Sequence, residues 1–278
     1  MIDLDAPIDQ VPVAYVDVET TGLSPYGGDR ICEIAVLRCV NRQPVDAFMH
    51  LINPQRPMDP GAYAIHHISD QMLAGQPTLA EVADDVVEVL SEAVLVGHNL
   101  AFDVGFLQSE LRRAGRRMPP HFVGLDTLRL ARRRYTLRRY GLGALAEALG
   151  LSIGGRAHRA MADVLLTRLV FEGLLDDLDG SGPLSTRHLQ ALQGGRVHEQ
   201  TRTRLPVPTP IAEALEAGCA LWLRYRSDKG VESERTVTPL RVAVQDGVTT
   251  LVAECHLRHE LRTFRVDRII AMEIARED

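Results

Sequence analysis

The stretch VDVETTGLSP at residues 16–25 ends the first strand predicted in this chain of 278 residues. The β-branched, apolar run PVAYVDV at 12–18 predicts that strand, and the Thr-Gly pair at 21–22 ends it with a turn. Asp17 and Glu19 lie two residues apart on the strand, so both side chains point to one face. Neighbouring carboxylates repel each other unless a cation neutralises them, so this pair is a candidate metal site.

Two later clusters supply further polar groups of the same kind. VGHNLAFDVGFL at 96–107 places Asp103 in the first turn of a helix that follows a buried strand. GRAHRAMADVLLT at 155–167 places His158 and Asp163 near the start of another helix. Carboxylates are the hard oxygen ligands that bind Mg²⁺ or Mn²⁺, and a histidine can exchange a proton near neutral pH. Together the clusters predict metal-assisted hydrolysis of phosphodiesters.

The order of predicted elements favours an α/β fold. The apolar runs at 31–40 and around 45–52 complete an antiparallel meander with the first strand, and AVLVG at 93–97 predicts a buried strand. Thr78 is a plausible N-cap for a helix over 78–90. Three strands followed by alternating helices and strands indicate α/β rather than all-α structure. Further helices are predicted at 101–114, 126–134, 141–149 and 159–178.

The composition changes after residue 178. DGSGP at 179–183 and LPVPTP at 205–210 are typical of a linker, with a short helix between them at 184–193. We therefore expect a first domain over 1–178, a linker over 179–208 and a second domain over 209–278. IAEALEAG, from residue 211, predicts a helix before the strands. Short strands separated by turns predict a small barrel, with strands at 219–226, 234–244, 249–255 and 261–274.

Charge is segregated along the chain, although the formal net charge is only −6. Residues 111–139 contain ten arginines and a single acid, Asp126. This arginine-rich segment could follow a phosphate backbone, or it could be a solvated helix face. The four cysteines show no CxxC pair, and no apolar run reaches membrane-spanning length. These features, with an acidic N-terminus, predict a cytoplasmic protein with reduced thiols and no membrane contact.

The three clusters resemble the three exonuclease motifs of the DEDDh (DnaQ-like) 3′–5′ exonucleases, in the usual order and spacing over roughly 11–178. The resemblance implies an RNase H-like fold, a mixed five-stranded sheet with flanking helices. It also implies that Asp17, Glu19, Asp103 and Asp163 hold two Mg²⁺ or Mn²⁺ ions and that His158 is the general base. The substrate class would be single-stranded DNA or RNA ends, and the products nucleoside 5′-monophosphates. The sister DEDDy group has a tyrosine where this chain has Arg159.

Three further residues are candidates for binding the substrate. In similar enzymes the position of Thr20 contacts the terminal 3′-hydroxyl. Leu23 and Phe102 are candidates to wedge and stack the last bases, because apolar faces bind bases without regard to sequence. Phe102 could equally be a core residue of its helix. Asp126, followed by Thr127, looks like a helix cap, with support of the metal site as the alternative.

The stretch TLVAECHLRHELRTFRVDRI at 250–269 resembles the WYL domain, a small Sm-like or SH3-like β-barrel, over about 209–278. The triplet that names that family is Thr249, Thr250 and Leu251 here. The family is thought to bind nucleic-acid or nucleotide ligands and to control the attached domain. Candidate ligand-binding residues, which could equally be solvated, are Tyr225, Arg235, His256, Arg258, Arg262, Arg265 and Arg268.

Two other functions stay open at this point. The chain could be a ligand-responsive, nucleic-acid-binding regulator whose nuclease fold is incidental. It could also be a nuclease that docks on a repair or polymerase partner through its WYL-like domain.

Overall fold

A computed structural model describes most of the chain, as residues 2–151, 158–178, 184–197, 207–217, 219–228, 230–245, 248–258 and 260–275. The chain divides into two compact units. The first comprises Met1–Thr21 with Ile31–Gln200, and the second comprises Gly22–Arg30 with Thr201–Asp278. In the described part, no helix is both long enough and apolar enough to cross a membrane.

The first unit is built on a mixed five-stranded sheet, as predicted, with the order β3-β2-β1-β4-β5. Strands β1, β2 and β3 pair antiparallel, whereas β4 pairs parallel to β1 and β5 pairs parallel to β4. The carboxyl ends of β1, β4 and β5 therefore meet at one edge of the sheet. The strands span Val13–Thr20 (β1), Ile31–Val40 (β2), Gln43–Leu51 (β3), Val94–Gly97 (β4) and Val123–Asp126 (β5).

Helices cover both faces of this sheet and give it two apolar cores. The N-cap predicted at Thr78 is confirmed, because the Glu81 carboxylate accepts the Thr78 N–H at 2.7 Å in a capping box. The helices are α1 (Pro60–His66), α2 (Asp70–Leu73), α3 (Leu79–Leu90), α4 (Leu100–Arg113), α5 (Thr127–Arg134), α6 (Leu142–Ala148), α7 (Ala160–Leu178) and α8 (Thr186–Leu192).

Residues 184–197 form part of the predicted linker, yet they pack against the first unit. Leu184 and Leu189 are buried in one core, and Val197 is buried in the other. The Gln193 amide donates to the Gly124 carbonyl at 3.0 Å and accepts the Asp126 N–H at 2.8 Å. This stretch is therefore a fixed part of the unit that carries β5. Of the other linker residues, 179–183 and 198–206 lie outside the described part, and 207–208 precede α9.

The second unit is a five-stranded antiparallel sheet with the order β10-β6-β7-β8-β9. The strand predicted over 261–274 is interrupted by a 3-10 turn at Val266–Arg268. The described strands pair in this open order, so closure into a barrel stays a prediction. The elements are α9 (Thr209–Ala217), β6 (Leu221–Arg226), β7 (Glu232–Gln245), β8 (Val248–Cys255), β9 (Glu260–Arg265) and β10 (Ile269–Ile274).

Candidate active site

Carboxylates from β1, α4 and α7 meet at the carboxyl end of the sheet. Ligand oxygens of Asp17, Glu19 and Asp163 all lie within 4.8 Å of one another. Asp103, in the first turn of α4, is tied to the same strand because its Oδ1 accepts the Val18 N–H at 3.1 Å. Residues far apart in sequence thus form one acidic cluster at the end of β1.

The surroundings of this cluster oppose its ionisation. Burial raises the pKa of Asp17 well above its usual range, and repulsion by Asp103 and then Glu19 adds to the shift. Burial, followed by repulsion from Asp163, raises the pKa of Glu19 to about 8. Burial likewise raises the pKa values of Asp103 and Asp163. Four carboxylates can ionise together here only with added positive charge, and an all-oxygen donor set suits a hard divalent cation.

His158 lies beside this cluster, two residues before the start of α7. Its backbone has a left-handed conformation with φ of 62°. The Asp163 carboxylate accepts a hydrogen bond from the His158 backbone, which lowers the pKa of Asp163 against the larger effect of burial. His158 and Asp163 are therefore held together at the start of α7. The preceding residues, 152–157, lie outside the described part.

A buried ion pair fixes the start of α7 to strand β2. The Glu33 side chain is 2% exposed and receives the Arg159 guanidinium in a two-pronged contact, with Nε at 3.0 Å from Oε2. The same Oε2 accepts the Ala160 N–H at 3.0 Å. Glu33 stands opposite Glu19 in the β1–β2 register. Sequence reasoning missed this pair, although a lone acid inside the apolar strand ICEIAVLRCV was a signal.

The predicted substrate-binding residues differ in their surroundings. Thr20 is buried at the end of β1, and its carbonyl lies 3.2 Å from His66 Nε2. Phe102 is half-buried on α4, with its ring centroid 4.9 Å from that of Phe106. Leu23 is 78% exposed in the segment Gly22–Arg30, which belongs to the second unit. The contacts of all three with a nucleotide stay predictions.

Asp126 acts as a helix cap, as its sequence context indicated. Its Oδ1 accepts the Leu128 N–H at 3.0 Å at the start of α5 and the Asn99 N–H at 3.0 Å before α4. His98 Nδ1 lies 2.9 Å from Thr127 Oγ1, and burial lowers the pKa of His98 to about 4. These bonds join the ends of β4 and β5 and so fix where α4 begins.

Most candidate ligand-binding residues of the second unit are already engaged within it. Arg262, Arg265 and Arg268 pair with Glu260, Asp267 and Asp228, in that order. His256 Nε2 lies 2.8 Å from Thr238 Oγ1, and the Tyr225 hydroxyl accepts the Arg265 N–H at 3.4 Å. Arg235 donates to the neighbouring Glu234 carbonyl, and Arg258 is exposed. Their role in binding a ligand stays a prediction.

Both parts of the chain match known protein families. The Exonuclease family (RNase_T) matches residues 15–171, and the WYL domain family matches residues 206–274. The DNA polymerase III subunit epsilon of Haemophilus influenzae is 38% identical over 156 residues, which are 53% of this chain and 61% of that protein. The subunit epsilon of Rickettsia felis is 33% identical over 208 residues, which are 72% of this chain and 91% of that protein.

Solved structures with the same fold include nucleases bound to DNA. Exonuclease X in complex with 5′ overhanging duplex DNA aligns with a TM-score of 0.50 at 28% identity, over 66% of this chain and 99% of that one. The zinc-bound complex of E. coli ExoI with ssDNA aligns with a TM-score of 0.55 at 19% identity, over 87% of this chain and 54% of that one. The second likeness shows the fold alone. Because the first family match spans more than half of the chain and contains the acidic cluster, the protein belongs to the RNase_T, DnaQ-like exonuclease family and carries a C-terminal WYL domain.

Proposed function

We propose that this protein is a metal-dependent 3′–5′ exonuclease that removes nucleoside 5′-monophosphates from single-stranded ends of DNA or RNA. The observation that carries the proposal is the convergence of Asp17, Glu19 and Asp163 within 4.8 Å, with Asp103 bonded to the same strand. The cluster destabilises its own charged form, as a site built for cations does. The related Exonuclease X was solved in complex with 5′ overhanging duplex DNA, which makes DNA the first substrate to test.

Each residue of the site has its own role in the proposed reaction. Asp17, Glu19, Asp103 and Asp163 would hold two Mg²⁺ or Mn²⁺ ions, which supply charge stabilisation of the phosphoryl oxygens and a lowered pKa for bound water. His158 would take the proton from the attacking water as general base. Thr20, Leu23 and Phe102 would contact the terminal nucleotide.

We also propose that the WYL domain, taken as 209–278, binds nucleic acid or a nucleotide and modulates the nuclease. Arg258 supports this role, because its guanidinium is exposed and has no acidic partner in the described part of the chain. The ion pairs of Arg262, Arg265 and Arg268 leave less free charge for a phosphate than the sequence suggested. In the full chain, Arg258→Ala should weaken oligonucleotide binding in a salt-dependent way. Salt-independent or unchanged binding would favour a docking surface for a protein.

The experiment that tests the nuclease incubates the purified protein with Mn²⁺ and 5′-labelled single-stranded DNA or RNA. Wild-type protein should give a descending ladder, and Asp17→Asn should give none. Asp176→Asn is the matched control, because Asp176 is an acid on α7 whose side chain is 68% exposed. Loss of the ladder in this control, or its survival in Asp17→Asn, would count against the site. Absence of degradation by the wild-type protein would favour the regulator alternative.

A further inference from the structure

The arginine-rich segment contains a group of arginines that no acid neutralises. Other arginines of this segment have partners: for example, Arg116 pairs with Asp84, Arg134 pairs with Asp177, and Arg129 donates to the carbonyls of Gly194 and Arg196. The four others in and just after α5 are exposed and have no acidic partner among the described residues. We call them the α5 arginine group: Arg132, Arg133, Arg138 and Arg139.

The chain around this group is held in place before any ligand binds. The Tyr140 hydroxyl donates to the Tyr135 carbonyl at 2.7 Å and accepts the Leu137 N–H at 3.0 Å, which closes the loop after α5. The Arg132 guanidinium lies 5.8 Å from the centre of the Tyr140 ring. A fixed loop presents its charges at a lower entropic cost than a flexible one.

Hydrogen bonds anchor both ends of residues 126–140 to the turn that precedes the helix carrying Asp103. Asp126, at the start of α5, accepts the Asn99 N–H, and Asn99 is the N-cap of the helix that carries Asp103. His98 bonds to Thr127 Oγ1 and to the backbone of Tyr140. The arginines are therefore carried at the edge of the sheet where the carboxylates lie.

The chemistry of the group matches a phosphodiester backbone better than a protein surface. Guanidinium groups bind phosphate oxygens in a two-pronged geometry, and they stay charged at any physiological pH. Stable protein interfaces have an apolar centre. In residues 127–146, all of which are described, no large apolar side chain is among those that are mainly exposed. A cationic surface without an apolar centre favours nucleic acid.

We propose that the α5 arginine group binds phosphates of the substrate strand several nucleotides away from the scissile phosphate. The start of α5 is bonded to the N-cap of the helix that carries Asp103, and the group lies in the second turn of α5 and after its end. It would therefore contact phosphates away from the cleaved bond. This inference rests on the proposed nuclease function, and it predicts a preference for substrates longer than a dinucleotide.

The test compares two double variants of the full chain on oligothymidylates of 12 and 2 nucleotides with Mn²⁺. The test variant is Arg138→Gln/Arg139→Gln. The control is Arg116→Gln/Arg187→Gln, which removes the same charge from exposed arginines that have acidic partners. Equal melting temperatures would show that both variants fold.

The test variant should raise KM for the 12-mer about tenfold at 0.1 M salt, because two phosphate contacts are lost. Each lost contact should also lower the salt slope of binding by about 0.7. Its kcat, and its KM for the dinucleotide, should match the wild type, and the control should match the wild type throughout. An unchanged KM and salt slope would overturn the proposal and point to an acidic protein ligand. An equal loss on both substrates would also overturn it. Absence of any degradation by the wild-type protein would instead defeat the nuclease function itself.

Discussion

Replacing Glu33 by Gln should slow catalysis more than it weakens the fold. The Glu33 carboxylate accepts two N–H groups from Arg159 and one from Ala160. Arg159 follows the proposed general base directly in sequence, and Ala160 begins the helix that carries Asp163. Glu33 is therefore a positioning residue that holds His158 and Asp163 against β1.

The contacts of Glu33 determine how much folding stability Glu33→Gln should lose. A hydrogen bond to a charged group contributes about 1.5–3 kcal/mol, and glutamine keeps one oxygen acceptor while it loses the charge. The Arg159 side chain is 35% exposed, so water compensates part of the loss. Removing a negative charge opposite Glu19 also relieves repulsion within the acidic cluster. The net loss of stability should be about 1 kcal/mol, which lowers the melting temperature by about 2–4 °C in a domain of this size.

The effect on kcat should be larger, because displacing a catalytic group by about 1 Å can cost about 10²-fold in rate. We expect kcat to fall about tenfold to 10²-fold with KM unchanged. Arg159→Gln should reproduce the loss, and the double variant should be no worse than either single one. The control is Glu172→Gln, which breaks the partly buried Arg168–Glu172 pair on the same helix.

The positioning role would be refuted by a Glu33→Gln enzyme that melts at a lower temperature but keeps the wild-type kcat. An equal fall of kcat in Glu172→Gln would also refute it, because any weakening of α7 would then suffice. Additive losses in the double variant would show that Glu33 and Arg159 act separately.

Three more predictions follow from the site. Because burial and Asp163 raise the pKa of Glu19 from 4.5 to about 8, the metal-free folded state keeps a proton that the unfolded chain releases. Thermal stability in EDTA should therefore fall as the pH rises from 4.5 to about 8, and Glu19→Gln should make that fall smaller. Stability that rises over this range would contradict the raised pKa of Glu19. His158→Ala should lower kcat about 10²–10⁴-fold while Mn²⁺ still raises the melting temperature, and a lost Mn²⁺ effect would place the histidine in the metal site instead. Asp126→Ala should cost about 1 kcal/mol or more in chemical denaturation through the lost cap of α5, and an unchanged midpoint would show that the cap contributes nothing.

The order of strands and helices in the first unit could be predicted because its apolar periods are clear. The run over 78–90 shows helical spacing behind a capping threonine, and α3 forms over Leu79–Leu90. The short helices α1 and α2 were not predicted, because neither is long enough to show a period. Residues 184–197 lie between stretches of linker composition, so the sequence predicted a linker there. Their burial depends on tertiary contacts of Leu184, Leu189 and Val197.

The acidic cluster was predicted as a set of residues but not as a geometry. Sequence spacing places Asp17 and Glu19 on one face of β1, whereas their approach to Asp163 depends on how α7 packs on the sheet. The Glu33–Arg159 pair joins residues 126 positions apart, and no local pattern encodes such a contact. Within the arginine-rich segment, Arg116 and Arg134 differ from the α5 arginine group only in their acidic tertiary partners.

We propose that the acidic cluster removes nucleotides from a 3′ end with the help of metal ions. The most direct test uses single-stranded DNA labelled in the 3′-terminal nucleotide and follows the first product over time with Mn²⁺ or EDTA. The labelled nucleoside 5′-monophosphate should appear first, only with Mn²⁺, and not with Asp163→Asn. Release that begins at the 5′ end, or activity that survives in EDTA or in Asp163→Asn, would contradict it.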